Sequence, residues 1–327
     1  MAVDSTPHLV VPFAGCSPGT WLQADAPLEP KNLGKLLRGM KLVQTHTGAA
    51  ASLSPPHERV LAEAFKLFEN KPFTDGLLPW AALEAQAQSQ GLAAQQAWGF
   101  ITLCHWSMGR EHATLTDPAA LEITPEESRT LLAAMQPYFV TVGITLHYQN
   151  NKPGCWLAEG AVFEHLPTAS LDRALGRNVD PLLPDSKAIK LLQNEMQMLL
   201  YSHAVNDARG AAGQRTINSF WLSGTGALAA GATGTEAAAT NPAITVCRSL
   251  AQAAFTDDRA AFSKGWAQLD ATQLAKLLAL QQSGQTVRIS LCGEANAVTF
   301  ETAGHSIFSK IKSAFKLQSM DYLLKQL

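Results

Sequence analysis

The sequence predicts an α/β fold with a smaller α+β unit inside it, and three observations carry that expectation. The stretch "HLVVPFAG" (8–15) is short, apolar and β-branched and closes on a glycine, as a buried strand does. Two helical stretches follow it, which gives the strand–loop–helix opening of an α/β core. Near "ENKPFTDGLLPWAAL" the character changes, and short strand and helix signals mix from there to about residue 190. The expected division is 1–75 and 191–327 for the core and 76–190 for the inserted unit. A chain of 327 residues has the length for one large core or two domains.

The elements follow in order. "EPKNLGKLLRGM" (29–40) reads as a helix with Leu33, Leu36 and Leu37 on one face. "THTGAAASLS" (45–54) reads as a loop, and "SPPHERVLAEAFKLF" (54–68) as a helix with proline in its first turn. In the middle segment "AAQQAWGFITLCHWSM" (93–108) holds a strand. "TPEESRTLLAAMQPYF" (124–139) is a helix with proline at its first position and glutamate in its first turn. "GITLHYQ" and "GCWLAEG" form a hairpin through "NNKPG". "DSKAIKLLQNEMQMLLYSHAV" (185–205) is the strongest helix. Asp185 or Ser186 can cap it, and Ile189, Leu192, Met196, Leu199 and Leu200 make its apolar stripe. "INSFWLSG" (217–224) is a strand, and "GALAAGATGTEAAATNP" (226–242) reads as a mobile loop. "FSKGWAQLDATQLAKLLALQQSG" is helical, and "QTVRISLCG" is a strand with Val287, Ile289 and Leu291 on one face. The tail from His305 is amphipathic, with Ile307, Phe308, Ile311 and Phe315 opposite Lys310, Lys312 and Lys316. It reads as a docked helix, or alternatively as a partner-binding one.

Composition excludes several function classes. The formal net charge is −2 and only 16% of residues are charged, so nothing points to nucleic acid or a membrane surface. No basic segment precedes an apolar run at the N-terminus, so no signal peptide is expected. No apolar run approaches the ~20 residues that span a bilayer. The five cysteines are odd in number, widely spaced and form no CxxC, which fits reduced thiols in the cytoplasm.

The stretch "LLYSHAVNDARGAAGQRTINSFWLSGTG" concentrates polar chemistry between an apolar helix and an apolar strand. It resembles a segment of the archaeal-type, cofactor-independent phosphoglycerate mutases. There a helix ends in His-Pro-x-Asn-x-x-Arg and a strand of the type Ala-Asn-x-x-Trp-x-x-Gly-x-Gly follows. His203, Asn206, Arg209, Asn218, Trp221, Gly224 and Gly226 stand in matching positions, with Ala204 in place of the proline. "LVVPFAG", "EPKNLGKLLRGM", "TPEESRTLL" and "GRNVDPLLPDS" resemble further pieces of that family in the same order. "LCHWSMGREHATLTDP", "LPTASLDRALGRNV" and "NEMQMLLYSHAVNDARG" resemble more closely an RpfE-type, phosphoglycerate-mutase-like bacterial branch. The resemblance implies an alkaline-phosphatase-like core sheet flanked by helices, with an inserted smaller α+β domain.

It also implies a two-metal site, in which Asp and His at the strand ends hold metals that activate a Ser or Thr nucleophile. The matching positions lack those donors. The first strand should end in Asp-Gly and ends in Phe13-Ala14-Gly15. "SLSPPHERV" offers Ser52, Ser54 and His57 without the Ser-Asp-x-Ala-His spacing. The late strand should end in Asp-His and ends in Cys292-Gly293-Glu294. "FTDDRAAF" keeps Asp257 and Asp258 without a neighbouring histidine. No metal and no cofactor are expected, and the two-metal chemistry is read as lost.

Three constellations remain. His203, Asn206, Asp207, Arg209, Arg215 and Asn218 could form a pocket for a small anionic ligand, since arginine recognises phosphate or carboxylate with a planar fork. They could equally satisfy a helix end, with Arg209 paired to a carboxylate. Cys104, His105 and His112 lie within nine residues and could contact a ligand, although their spacing is not a standard metal pattern. The structural alternative is a buried thiol with hydrogen-bonded loop histidines. Asp172, Arg173 and Arg177 could line a cleft between domains or make surface ion pairs. The glycines at 224, 226, 231 and 234 do not make a nucleotide-binding GxGxxG. The function expected is that of a catalytically degenerate, cytoplasmic binding or regulatory protein. The alternative is a phosphoryl-transfer or hydrolytic enzyme with a site rebuilt around Cys104, His105, His112, His203 and Arg209. A protein partner at the C-terminal helix and the 226–242 loop is a third reading.

Overall fold

The computed structural model describes residues 5–15, 30–68, 73–88, 96–228, 242–303, 323–324 and 326–327. Cys16, most of the amphipathic tail and most of the 226–242 loop lie outside the described residues. The chain forms two compact units. One comprises Met1–Ala64 and Thr240–Leu327, the other Phe65–Ala239.

The first unit opens with β1 (His8–Val11), buried at every position as its sequence predicts. Helix α1 (Lys31–Arg38) buries Leu33, Leu36 and Leu37, the face that their spacing gave. Pro30 at its start has no capping oxygen. The cap comes instead from a distant residue: the Asp270 carboxylate accepts from the amides of Asn32 and Leu33 at 3.1 and 3.0 Å. That satisfies two of the orphan donors of the first turn. Strand β2 (Met40–His46) and helix α2 (Pro56–Ala64) follow.

The second unit carries α3 (Trp80–Gln88), β3 (Ala97–Cys104), β4 (Trp106–Met108), β5 (Ala113–Leu115), α4 (Pro125–Thr141), β6 (Thr145–His147), β7 (Cys155–Glu159), α5 (Leu171–Ala174), α6 (Lys187–Tyr201), α7 (Ala204–Ala211) and β8 (Ser219–Ala227). Its antiparallel sheet runs β6-β7-β3-β8. The period-two alternation of strands sends Ile101, Leu103, Trp156, Ala158, Phe220 and Leu222 to one face. There they pack on Leu131, Met135 and Phe139 of α4 and on Ile189, Leu192, Met196 and Leu200 of α6. On the opposite face Trp98 and Leu157 meet Ala81, Ala82 and Ala85 of α3. The start of α4 is fixed by a capping box: Thr124 Oγ1 accepts from Glu127 N and Glu127 Oε2 accepts from Thr124 N.

Two elements differ from their sequence reading. The stretch 191–239, expected with the core, sits in the second unit, because β8 pairs with β3 from Cys104↔Ser219 to Ala97↔Ala227. Its Phe220 and Leu222 thereby bury against the same helices as β3 does. The helix read as 185–205 stops at Tyr201, and a second helix, α7, starts after His203.

The chain returns to the first unit with β9 (Ile244–Val246), α8 (Ala251–Phe255), α9 (Arg259–Leu269), a π turn at Asp270–Leu274, α10 (Ala275–Gln282), β10 (Arg288–Cys292) and β11 (Ala297–Thr302). The five strands are ordered β2-β11-β10-β1-β9. β1 runs parallel to β10 and β9, whereas β11 is antiparallel to β10 and β2. One face packs Leu9, Val11, Ile289 and Leu291 against α1, α9 and α10. The other sets Val10, Cys292 and Ala297 against Val60 of α2. The result is a mixed α/β protein with a multi-strand sheet flanked by helices. No helix among the described residues is long and apolar enough to cross a membrane.

Candidate functional site

The polar stretch that stands out in the sequence forms one connected network. The break between α6 and α7 is capped by His203, whose Nδ1 accepts from Val205 N at 3.2 Å. Asn206, buried on α7, donates through Nδ2 to the carbonyls of Leu200 and Ile217 at 2.8 and 2.7 Å and accepts from Ile217 N at 2.8 Å. One amide side chain thus joins the end of α6 to the segment leading into β8. Arg209 is 2% exposed. Its Nε donates to Arg215 O, its Nη1 to Glu127 Oε1 at 2.8 Å, and its Nη2 to Leu121 O. The guanidinium that the sequence offered to an anion is therefore directed at three protein acceptors. Burial would push the Glu127 carboxyl up, but the Thr124 amide and the Arg209 guanidinium outweigh it and hold the carboxyl below its ordinary range. Asp207 is exposed on the outer side of α7, and the Arg215 side chain reaches Thr116 Oγ1 at 3.1 Å.

The pairing of β3 with β8 brings Cys104–Trp106 beside Thr216–Asn218. Asn218 clamps Trp106 on both sides, with Oδ1 accepting from Trp106 N at 2.7 Å and Nδ2 donating to Trp106 O at 2.9 Å. His105 Nδ1 donates to the Thr216 carbonyl at 2.8 Å. Cys104 is fully buried, and burial pushes its thiol far above the ordinary range. A buried, protonated thiol is a poor nucleophile. His112 and Arg177 are exposed, and Arg173 is buried on α5. The hydrogen bonds of His105, His203 and Arg209 reach backbone groups or Glu127 rather than each other.

A second group of residues lies at the carboxyl ends of the parallel strands of the first unit, where open α/β sheets bind ligands. After Val11 the chain turns at Phe13, which has φ 61°, a left-handed conformation uncommon for a residue with a bulky side chain. The Phe13 ring lies 5.3 Å from the His57 ring and 4.9 Å edge-on from Phe255, and the Arg248 guanidinium stands 6.0 Å from its centroid. Ala14 N donates to Cys292 O, tying the end of β1 to the end of β10. Ser52 Oγ donates to Ser54 O, and Asp258 caps α9 by accepting from Ala261 N at 2.9 Å. Asp257 is exposed and Glu294 half-buried. Among the described residues no three His, Cys, Asp or Glu side chains are grouped as a metal ion would require.

An aliphatic segment of the chain itself lies across these strand ends. Leu324 and Leu327 are buried at 0% and 6% exposure and belong to the core cluster of the first unit. The Leu327 carbonyl accepts from the amides of Ala295 and Asn296 at 3.1 and 2.8 Å, and Asn296 Nδ2 donates to Gln326 O at 2.8 Å. Gly15 and Gly293 permit this approach. A Cβ on Gly15 would overlap the Leu324 carbonyl, and one on Gly293 would overlap the Leu327 backbone. Sequence reasoning did not find these contacts. The signal for them is a glycine at each strand end, where close backbone approach is the usual reason.

Sheet order, flanking helices and a crevice edge at the ends of parallel strands define a mixed α/β protein. No family model matches the chain, and no curated protein matches it. Among solved structures it is similar to the PH0037 protein from Pyrococcus horikoshii, with a TM-score of 0.46 and 12% identity over 91% of this chain and 88% of that one. It is also similar to the cofactor-independent phosphoglycerate mutase from Thermoplasma acidophilum, with a TM-score of 0.36 and 11% identity over 92% of this chain and 91% of the other.

Proposed function

We propose that the chain is a catalytically degenerate relative of the phosphoglycerate mutases, of the RpfE-type bacterial branch its sequence resembles. It acts by binding, in a regulatory role in the cytoplasm, rather than by turnover. The observation that carries this reading is the state of the strand ends. Where two-metal chemistry needs carboxylates and imidazoles facing an open crevice, the chain has Phe13, Ala14 and Gly293, with its own Leu324 and Leu327 packed over them. Apolar packing at that spot disfavours a dication and a phosphate alike, since neither can be desolvated without compensating charge.

The alternative, phosphoryl transfer at a site rebuilt around Cys104, His105, His112, His203 and Arg209, draws less support. It needs free donors converging on one substrate atom, and the three Arg209 nitrogens and His203 Nδ1 are already engaged within the protein. The test is a coupled phosphoglycerate mutase assay on folded protein with and without Mn²⁺ or Zn²⁺. No metal-dependent turnover is expected. Turnover that appears with either metal overturns the reading and moves attention to Asp257, Asp258 and Glu294.

A further inference from the structure

The crevice at the ends of β1 and β10 is built to hold a particular chemical object. It has two adjacent amide donors, Ala295 N and Asn296 N, aimed at one main-chain oxygen. It has a side-chain amide, Asn296 Nδ2, that takes the preceding carbonyl at 2.8 Å. It has two glycines whose missing side chains leave room for a peptide backbone. The turn that presents the amides is held in place from outside. Arg59 Nη2 donates to Ala295 O at 2.8 Å, Asn296 Oδ1 accepts from Gly48 N at 3.3 Å, and Gly293 N donates to Asn296 O at 2.9 Å. Beneath lies an apolar floor that takes two leucines three residues apart, both almost fully buried. Main-chain hydrogen bonds that give affinity, with apolar pockets that give specificity, are a general mode of peptide recognition.

We propose that this crevice is a peptide-binding site. Its ligand is a short segment with two leucine-like residues three positions apart, and Leu324 and Leu327 are the occupants supplied in cis. The segment is displaceable: a partner carrying the same pattern competes with it, so binding a partner and freeing the chain's own tail are one event. This rests on the binding-protein reading and names its ligand class. Metal-dependent turnover would end that reading, whereas the experiment below can fail without any turnover appearing.

The experiment follows a fluorescein-labelled peptide of residues 321–327, DYLLKQL, by anisotropy against the full 327-residue chain. Leu327→Glu frees the crevice, because a carboxylate cannot replace a buried leucine side chain without a partner. A tethered segment competes at an effective concentration on the order of millimolar. The L327E chain should therefore bind the peptide at least about tenfold more tightly than wild type. A peptide with glutamate at both leucine positions should not bind. Adding Gly293→Ala to L327E should abolish binding, since its Cβ occupies the backbone channel. Circular dichroism establishes that each variant is folded, and Leu327→Ala takes the place of L327E if that chain does not fold. Absence of peptide binding by the folded variant overturns the proposal. So does equal binding by wild type, equal binding of the glutamate peptide, or retention of binding with G293A.

Discussion

Replacing Glu127 with alanine tests the network that the polar stretch turned out to be. Arg209 is 2% exposed and Glu127 supplies it with a carboxylate at 2.8 Å. Removing one partner of a buried ion pair costs about 3–5 kcal/mol, because the remaining charge is left unpaired. The Glu127 side chain is 20% exposed, so water reaching the gap discounts that to about 2–3 kcal/mol. Loss of the Glu127 Oε2 bond to the Thr124 amide adds about 1 kcal/mol. The sum is about 3–4 kcal/mol. At 2–4 °C per kcal/mol for a unit of this size, Tm falls by roughly 6–16 °C. Glu127→Gln keeps an acceptor and loses the charge, for about 1–2 kcal/mol. Because the Glu127 carboxyl is held below its ordinary range, its contribution is present above the unfolded value of about 4.3 and is lost as pH falls through the folded one. Urea unfolding at pH 7 and across the acid limb reads both effects. An E127A chain within about 0.5 kcal/mol of wild type, smaller than any of the named losses, would refute the account of Arg209 as a buried charge that depends on Glu127.

Two further outcomes follow from the same region. Asn206→Ala removes three hydrogen bonds that join α6 to the approach of β8, and should cost about 2–4 kcal/mol in urea unfolding, read from the midpoint at constant slope. If Asn206 instead serves a bound anion, the free protein would lose little. Cys104, whose thiol burial holds protonated, should resist iodoacetamide in the native protein at pH 8 and react only on unfolding. Peptide mass mapping reads this, and rapid native labelling at Cys104 would revive it as a reactive group.

Much of the fold was legible in the sequence. β1, α1, α4 and the hairpin of β6 and β7 are local features, each fixed by a run of apolar spacing, a cap or a turn. The Thr124–Glu127 capping box is visible in four consecutive residues, and the helix begins there. Strands β2, β9 and β11 were not read. In β2 the pattern is mostly exposed, with Leu42 and Val43 facing outward at 56% and 44%, so the alternation that marks a half-buried strand is missing. β2 and β9 are sheet edges, where one side of each strand has no neighbour to impose the pattern.

The sequence by itself determined that the polar residues of 203–218 are concentrated and that Phe13-Ala14-Gly15 and Cys292-Gly293-Glu294 stand where two of the predicted strands end. Residue identity is enough for both. Only the tertiary structure decided what the polar residues do. Arg209 is a ligand-binding arginine or an internal strut according to what lies opposite it, and besides the Arg215 carbonyl its partners are the backbone of Leu121 and the carboxylate of Glu127, far away along the chain. The same holds for Asp270, an ordinary helical aspartate in the sequence that caps a helix which has no cap of its own. It holds for Leu324 and Leu327, an apolar pair whose place over the ends of β1 and β10 depends on glycines at 15 and 293. Local propensity reaches a few residues along the chain, whereas a hydrogen bond or an apolar contact between distant segments exists only once the whole unit has closed.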